Sequence, residues 1–214
     1  MHLKILLIIA TYLLGSIPTG VWYSRLRYRQ DVRQTGSGNS GATNIGRTYG
    51  FQSAVLVAMI DVLKGWIPVL LAKWLFTDNA WVISAVALAA LIGHAYPIWA
   101  NFKGGKIVAT SIGVLLGFHF WIALVMVISF FTLLYLTSTV SFSAMVSYSL
   151  TACYLFLTQP NKIYGVTFIL IALFMIYRHR QNIERLLRHE EKTISFGLGL
   201  WLNQHGAKDS SKAK

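Results

Sequence analysis

Ser53-Ala54-Val55-Leu56-Val57-Ala58-Met59-Ile60-Asp61-Val62-Leu63-Lys64-Gly65-Trp66-Ile67-Pro68-Val69-Leu70-Leu71-Ala72-Lys73-Trp74-Leu75-Phe76 reads as a helix built for a bilayer. A perpendicular span needs about 20 consecutive, mainly apolar residues, and this run exceeds that. Asp61 and Lys64 interrupt it three residues apart, on one helix face. Charges inside a membrane are costly and are by default paired or functional. We read these two as an internal ion pair supporting the polar loop before the run, in preference to a catalytic pair.

Six further apolar blocks flank this one, at 5–23, 81–99, 107–118, 121–136, 143–157 and 164–177. The blocks at 107–118, 143–157 and 164–177 are short for a perpendicular span and require protein cover at their ends or a thinned bilayer. Five or six long spans are therefore the alternative to seven. The 214-residue chain is 55% hydrophobic and 12% charged, against roughly half and a quarter in average globular domains. With its apolar residues in blocks, this composition predicts an all-α polytopic membrane protein. No linker divides the blocks, so 1–206 reads as one transmembrane domain and 207–214 as a disordered polar tail. The first block has the length of a signal peptide, but Gly15-Ser16-Ile17-Pro18-Thr19-Gly20 carries it into a polar segment, which predicts a retained first span. The single cysteine, Cys153, excludes an internal disulfide framework and reads as a small buried hydrophobe.

Nineteen Lys and Arg against 7 Asp and Glu give a formal net charge of +12. An anionic membrane face or anionic substrates suit a mostly embedded chain; nucleic acid does not. The basic residues are unevenly placed. Arg25, Arg27, Arg29, Arg33 and Arg47 follow the first block, Lys103 and Lys106 the third, and Arg178, Arg180, Arg185, Arg188 and Lys192 the last. Of the alternate loops, 77–80 and 158–162, only the second carries a basic residue, Lys162. By the positive-inside rule the N-terminus lies outside and the C-terminus in the cytoplasm, which an odd number of spans satisfies.

All conspicuous polar motifs fall on the predicted cytoplasmic side. The first is Gly36-Ser37-Gly38-Asn39-Ser40-Gly41-Ala42-Thr43-Asn44, followed by Arg47. Its glycines allow successive backbone N–H groups to form an oxyanion nest, and Arg47 adds a fork suited to phosphate. The alternative is a flexible polar loop; the Gly-Lys-Ser/Thr ending of a P-loop is absent. The second motif is Gly93-His94-Ala95-Tyr96-Pro97 with Asn101-Phe102-Lys103-Gly104-Gly105-Lys106. It is either a phosphate site at a helix start or an ordinary loop with positive-inside lysines. His94, near a span end, reads as a hydrogen-bonded packing residue.

The third motif is Arg178-His179-Arg180-Gln181-Asn182-Ile183-Glu184-Arg185-Leu186-Leu187-Arg188. Ile183, Leu186 and Leu187 make the stripe of an interfacial helix. His179 and Asn182 share a face, whereas His179 and Glu184 diverge by roughly 140° and make a poor pair. No Ser-His-Asp set and no Cys/His metal cluster stands at recognisable spacing.

Taken together, the three motifs resemble one family: the bacterial membrane-integral glycerol-3-phosphate acyltransferases that use acyl phosphate, the PlsY type. The likeness runs from Gly15 to about Lys192, in the family's motif order, with Asp61-x-x-Lys64-Gly65 between the first two motifs. It implies about seven transmembrane helices with an external N-terminus, in a bacterial cell (inner) membrane. It implies transfer of a fatty acyl group from acyl phosphate to sn-glycerol 3-phosphate, giving lysophosphatidic acid and inorganic phosphate. By motif position, Ser37, Lys106, His179 and Asn182 are the expected catalytic residues. Gly38, Asn39, Gly41, Thr43, Asn44, Arg47, Gly104, Gly105 and Ser141 are the expected substrate-binding residues. No cofactor, metal or obligate protein partner is implied beyond bilayer lipid. Two positions depart from the family pattern: Ile107 stands where Gly usually follows Gly-Gly-Lys, and Ser138 where Arg often precedes the Ser141 motif. A β-branched residue takes positive φ with difficulty, so the end of the Gly104–Gly105 loop is expected to be built differently.

The readings set against this are a small organic-phosphate transporter and a scaffold without chemistry. The first calls for midplane polar residues and internal repeats, neither of which is evident. The second leaves the clustered motifs unexplained. The His-x4-Asp motif of CoA-dependent acyltransferases is also missing, since four residues intervene after His94 and His179 before Trp99 and Glu184.

Overall fold

The computed structural model describes residues 1–77 and 79–201, so the polar tail expected at 207–214 lies outside the described residues. All regular structure among them is helical. In chain order the helices are α1 (His2–Gly15), α2 (Thr19–Tyr28), α3 (Ala42–Tyr49), α4 (Phe51–Leu75), α5 (Ala80–Ala95), α6 (Val108–Phe118), α7 (Phe120–Thr137), α8 (Val140–Thr158), α9 (Lys162–Arg178) and α10 (Arg180–Leu187). Among the described residues, five stretches are long and apolar enough to cross a membrane: His2–Tyr28, Phe51–Leu75, Ala80–Ala100, Phe120–Thr137 and Val140–Thr158. The α9–α10 pair, bent by 59°, raises this to six if counted as one span.

The apolar block at 107–118 yields the 11-residue α6, about 16 Å long at helical rise, short of the roughly 30 Å core. Its C-terminal carbonyls are covered by protein: Lys73 Nζ of α4 donates to Gly117 O at 3.1 Å and Phe118 O at 3.2 Å. The block at 143–157 is longer than expected, because Val140, Ser141 and Phe142 join the first turn of α8.

Helices α4 and α6 pack through glycine. A Cβ on Gly65 would strike the Thr110 carbonyl, and one on Gly113 the Val62 carbonyl. Backbones this close pack by dispersion, the attraction that holds helices together in lipid. The core runs between the helices, with Ile83, Leu91, Leu115, Tyr148, Phe168, Ile171 and Met175 buried. Trp74, Trp81, Trp121, Val125, Leu150 and Leu157 are exposed on the outside, as side chains that face hydrocarbon should be. Cys153 is also exposed, which corrects its reading as a buried hydrophobe; apolar side chains on a membrane helix are stable facing lipid.

Asp61 and Lys64 do form an ion pair, with Lys64 Nζ 2.7 Å from Asp61 Oδ1 and both side chains under 5% exposed. The element they support differs from expectation. Thr19 Oγ1 donates to Asp61 at 2.8 Å, and Lys64 Nζ donates to Ile17 O at 2.9 Å. The pair therefore closes the break at Ser16-Ile17-Pro18 between α1 and α2, where Pro18 interrupts the helical hydrogen bonds.

Candidate active site

The first polar motif is organised by one side chain. Asn44, on the first turn of α3, is 1% exposed. Its Nδ2 donates to the carbonyls of Val32, Thr35 and Asn39 at 2.9–3.0 Å, and its Oδ1 accepts from Ser37 N at 2.8 Å. Gly38 N donates to Thr35 O, and Gly41 N to Asn39 Oδ1. These loop amides thus close the loop on itself and do not form the expected nest. What the loop leaves open is the start of α3, where the N–H groups of Ala42 and Thr43 come before the first amide bonded at this end, Asn44 N to Gly41 O. Arg47 lies one turn further on, partly exposed, with Nη2 donating to Lys192 O at 3.0 Å.

The second motif is likewise tied internally. Gly104 N and Gly105 N donate to Ala95 O and His94 O. Their own carbonyls accept from Arg178 at 3.0–3.3 Å, and that guanidinium lies 5.0 Å from the Tyr96 ring centre. A Cβ at Gly104 would meet the His94 carbonyl, and one at Gly105 the His94 ring. The glycines are thus needed for close approach to α5, and their amides are not turned to a phosphate. Ile107 adopts φ +60 despite its β-branch, so the loop ends as it would with glycine, contrary to expectation. The strain is offset by burial: Ile107 is 0% exposed in the core, and its carbonyl accepts from Ser111 N at 2.7 Å to start α6.

The third motif bends the chain at His179, between α9 and α10. His179 Nδ1 lies 2.8 Å from Met175 O. A carbonyl only accepts, so Nδ1 carries the proton and Nε2 keeps its lone pair. Asn182 is one turn further, with Oδ1 accepting from Lys106 Nζ and Nδ2 donating to Glu191 at 2.6 Å.

These segments enclose a cavity of about 240 Å³. Ser37, Asn39, Gly41, Thr43, Asn44 and Arg47 line it from the first motif, with Lys106, Ser141, His179 and Asn182 from the others. Part of its wall is apolar: Ala58 of α4, Val108, Ala109 and Ile112 of α6, and Phe130 and Phe131 of α7. Phe131 is 59% exposed, so the apolar wall reaches the outer surface between helices.

The polar end is strongly cationic. Burial, and then the neighbouring charge of Arg185, bring the Lys106 ammonium down to about 8; Glu191 opposes this, while Arg47 and Arg178 add to it. Burial lowers Arg47 as well, although a guanidinium stays charged. His179, one residue beyond α9, falls to about 4, chiefly through burial, with the charges of Lys106 and Arg178 adding. It is therefore neutral at physiological pH.

A cationic polar end joined to an apolar wall suits an amphiphile with an acidic head. The family described as Glycerol-3-phosphate acyltransferase matches residues 5–189. The chain belongs to this family. A glycerol-3-phosphate acyltransferase of Thioalkalivibrio sulfidiphilus (strain HL-EbGR7) is 41% identical over 188 residues, covering 88% of this chain and 92% of the relative. One of Enterococcus faecalis (strain ATCC 700802 / V583) is 41% identical over 207 residues, covering 92% and 94%. Among solved structures, PlsY (YgiH), an integral membrane glycerol 3-phosphate acyltransferase, matches in its glycerol 3-phosphate form with a TM-score of 0.87 at 37% identity, over 90% of this chain and 96% of that one. Its lysophosphatidic acid form matches with a TM-score of 0.84 at 36% identity, over 90% and 95%.

Within this acyltransferase-family cavity, ten of the thirteen residues expected from sequence come together, while Gly38, Gly104 and Gly105 lie outside the lining. Three charged or titratable lining residues were not among the thirteen: Asp61, His94 and Glu191. His94 Nδ1 lies 3.7 Å from Asp61 Oδ1 and has no hydrogen-bond partner, so the packing role expected of it lacks that bond. Glu191 carries no periodic or motif signal; it follows α10 in a run of charged residues. Ser138, at the Arg position of the family pattern, is 0% exposed with φ +55. It serves the backbone, its Oγ donating to Phe196 O at 3.0 Å.

Proposed function

We propose that this protein transfers a fatty acyl group from acyl phosphate to the 1-hydroxyl of sn-glycerol 3-phosphate. The products are lysophosphatidic acid and inorganic phosphate. The carrying observation is the two-ended cavity: Arg47 and Lys106 at one end, Ile112, Phe130 and Phe131 at the other. A phosphate suits the first and an acyl chain entering from the bilayer suits the second.

In the reaction, the glycerol hydroxyl oxygen attacks the acyl carbonyl carbon. As the new C–O bond forms, the C–O bond to phosphate breaks, and the hydroxyl proton passes to a phosphate oxygen. Arg47, Lys106 and the first-turn amides of α3 hold phosphate oxygens. Ser37, Thr43 and the second Nδ2 hydrogen of Asn182 donate neutral hydrogen bonds, and Ser141 Oγ, its own hydrogen held by Glu191, is left to accept one. Neutral His179, its Nε2 lone pair available, accepts from the non-reacting 2-hydroxyl of glycerol 3-phosphate and so orients the attacking oxygen beside it. Asn44 acts through the loop it organises. Acyl phosphate is a mixed anhydride and brings its own leaving group, so no acyl-enzyme is required. Holding both reactants in line supplies much of the acceleration.

We place residues 1–206 in one acyltransferase domain with seven membrane segments, the short α6 and α9 included and α10 at the interface. The N-terminus is outside, and the site faces the cytoplasm of a bacterial cell. The Lys/Arg asymmetry of the loops supports this orientation.

The test supplies purified protein with glycerol 3-phosphate and either palmitoyl phosphate or palmitoyl-CoA, following lysophosphatidic acid. Product should form from the acyl phosphate and not from the thioester. The reverse result overturns the donor assignment.

A further inference from the structure

Glu191 lies in the segment after α10 and takes no part in the reaction as drawn above. Its side chain is 7% exposed. Oε1 accepts from Ser141 Oγ at 2.8 Å and Asn182 Nδ2 at 2.6 Å, and Oε2 accepts from Arg185 Nε at 2.7 Å. A carboxamide has one donor end and one acceptor end. Because Glu191 takes the donor end of Asn182, the oxygen end is left for Lys106 Nζ. The segment is held in place independently. Ser138 O accepts from Ile194 N, and Ser138 Oγ donates to Phe196 O and accepts from Leu200 N.

We propose that Glu191 is a positioning residue for the acyl transfer: through Asn182 it fixes the Lys106 ammonium, and directly it fixes the Ser141 hydroxyl, at the phosphate end of the cavity. This rests on the acyltransferase reading of that end. Glu191 is also the anion that faces a cationic cluster. Around Lys106 stand Arg47 of α3, Arg178 at the end of α9, neutral His179 at the bend, and Arg185 of α10. Without Glu191, Lys106 faces these cations unopposed and loses its proton at lower pH. Burial alone would raise the Glu191 carboxyl; the hydrogen bonds from Asn182, Arg185 and Ser141 outweigh it and hold the group ionised. Such a carboxylate is a poor base, which separates positioning from proton abstraction.

The experiment compares the full-length wild type with Glu191→Gln and Glu191→Asp. One readout is the pH profile of kcat/KM for glycerol 3-phosphate. The other is the titration of Lys106 itself, read without turnover by competitive acetylation and peptide mass spectrometry. Glu191→Gln should lower kcat/KM roughly tenfold. It should also move both the alkaline limb and the Lys106 titration down by roughly one unit, with Glu191→Asp recovering part of each. A loss of activity with the Lys106 titration unmoved overturns the proposal in favour of a merely structural role. A lowered KM for glycerol 3-phosphate also overturns it, because the carboxylate would then be competing with phosphate. If Glu191→Gln does not fold, Gly199→Val decides: a side chain there meets the Thr137 backbone and displaces the segment without changing a cavity residue. The same downward shift of Lys106 supports the proposal, and an unmoved titration overturns it. If the wild type makes no lysophosphatidic acid, the acyltransferase reading fails, while the Lys106 titration still decides the role of Glu191.

Discussion

Single side chains set the charge on the cavity, and two of them make direct predictions. In the proposed reaction Lys106 holds phosphate as the ammonium, and its pKa, lowered to about 8, falls within reach of ordinary assays. Below that pH the contact is present; as pH rises through it the proton is lost. In a series from pH 6 to pH 10, kcat/KM should therefore fall on the alkaline side with a midpoint near the Lys106 value. Lys106→Arg should lose that limb, because a guanidinium does not titrate there, even if its longer fork lowers the rate. A limb that persists unchanged in Lys106→Arg would assign it to another group. His179 predicts the opposite kind of result. Its burial and cationic neighbours make it a weak base, so its proposed work is to accept a hydrogen bond. His179→Gln offers a carbonyl oxygen in a similar place and should retain measurable turnover, at a cost of roughly 10- to 100-fold, the scale of one hydrogen bond to substrate. Complete loss of the transfer step, with glycerol 3-phosphate still bound, would instead make His179 the base.

At the level of the helix, the α4–α6 crossing decides whether the cavity exists at all. Helix α6 carries Val108, Ala109 and Ile112 into the apolar wall, yet it is too short to be held by the bilayer alone. Its position depends on the Gly65 and Gly113 contacts and on Lys73 at its C-terminal end. Gly113→Val places branched carbons against the Val62 backbone. Overpacking of this kind costs about 1–3 kcal/mol, so the melting temperature in detergent should fall by roughly 3–10 °C on the usual scaling for this chain length. Activity should fall with it. Thermal unfolding followed by far-ultraviolet circular dichroism would show this; an unchanged melting temperature would mean that the helices are not as close as described.

For the whole molecule, the arrangement of charge predicts which face the cavity opens on. Single cysteines at Ser40 and Asn79, introduced after replacing the exposed Cys153, report on opposite sides of the membrane. With an impermeant thiol reagent on intact cells, Asn79→Cys should label and Ser40→Cys should not. Labelling of Ser40→Cys from outside would invert the topology and move the cavity to the other face. Ser40 is mostly buried, so permeabilised cells and a second position at the exposed Arg29 control for access.

The blocks of apolar residues by themselves determined that this is an all-helical membrane protein, because a long apolar run leaves the backbone no partner in lipid except its own next turn. The three polar motifs were also legible as one group, since polar side chains clustered at one side of an apolar chain have few places to go: Ser37, Arg47, Lys106, Ser141, His179 and Asn182 all line one cavity. Local pattern could not say which groups spend their hydrogen bonds internally. The amides of Gly38, Gly104 and Gly105 are donated to the chain itself, and Asn44 is used up in shaping a loop. Nor does spacing bring Glu191 to Asn182, because the segment that carries it is placed by Ser138, on the turn between two other helices. Ile107 makes the same point. Its left-handed backbone is unfavourable for a β-branched residue taken alone, and only the packed core around its side chain holds it there. Tertiary structure decided these points because each depends on contacts between residues far apart in the chain, and neither residue type nor period records those contacts.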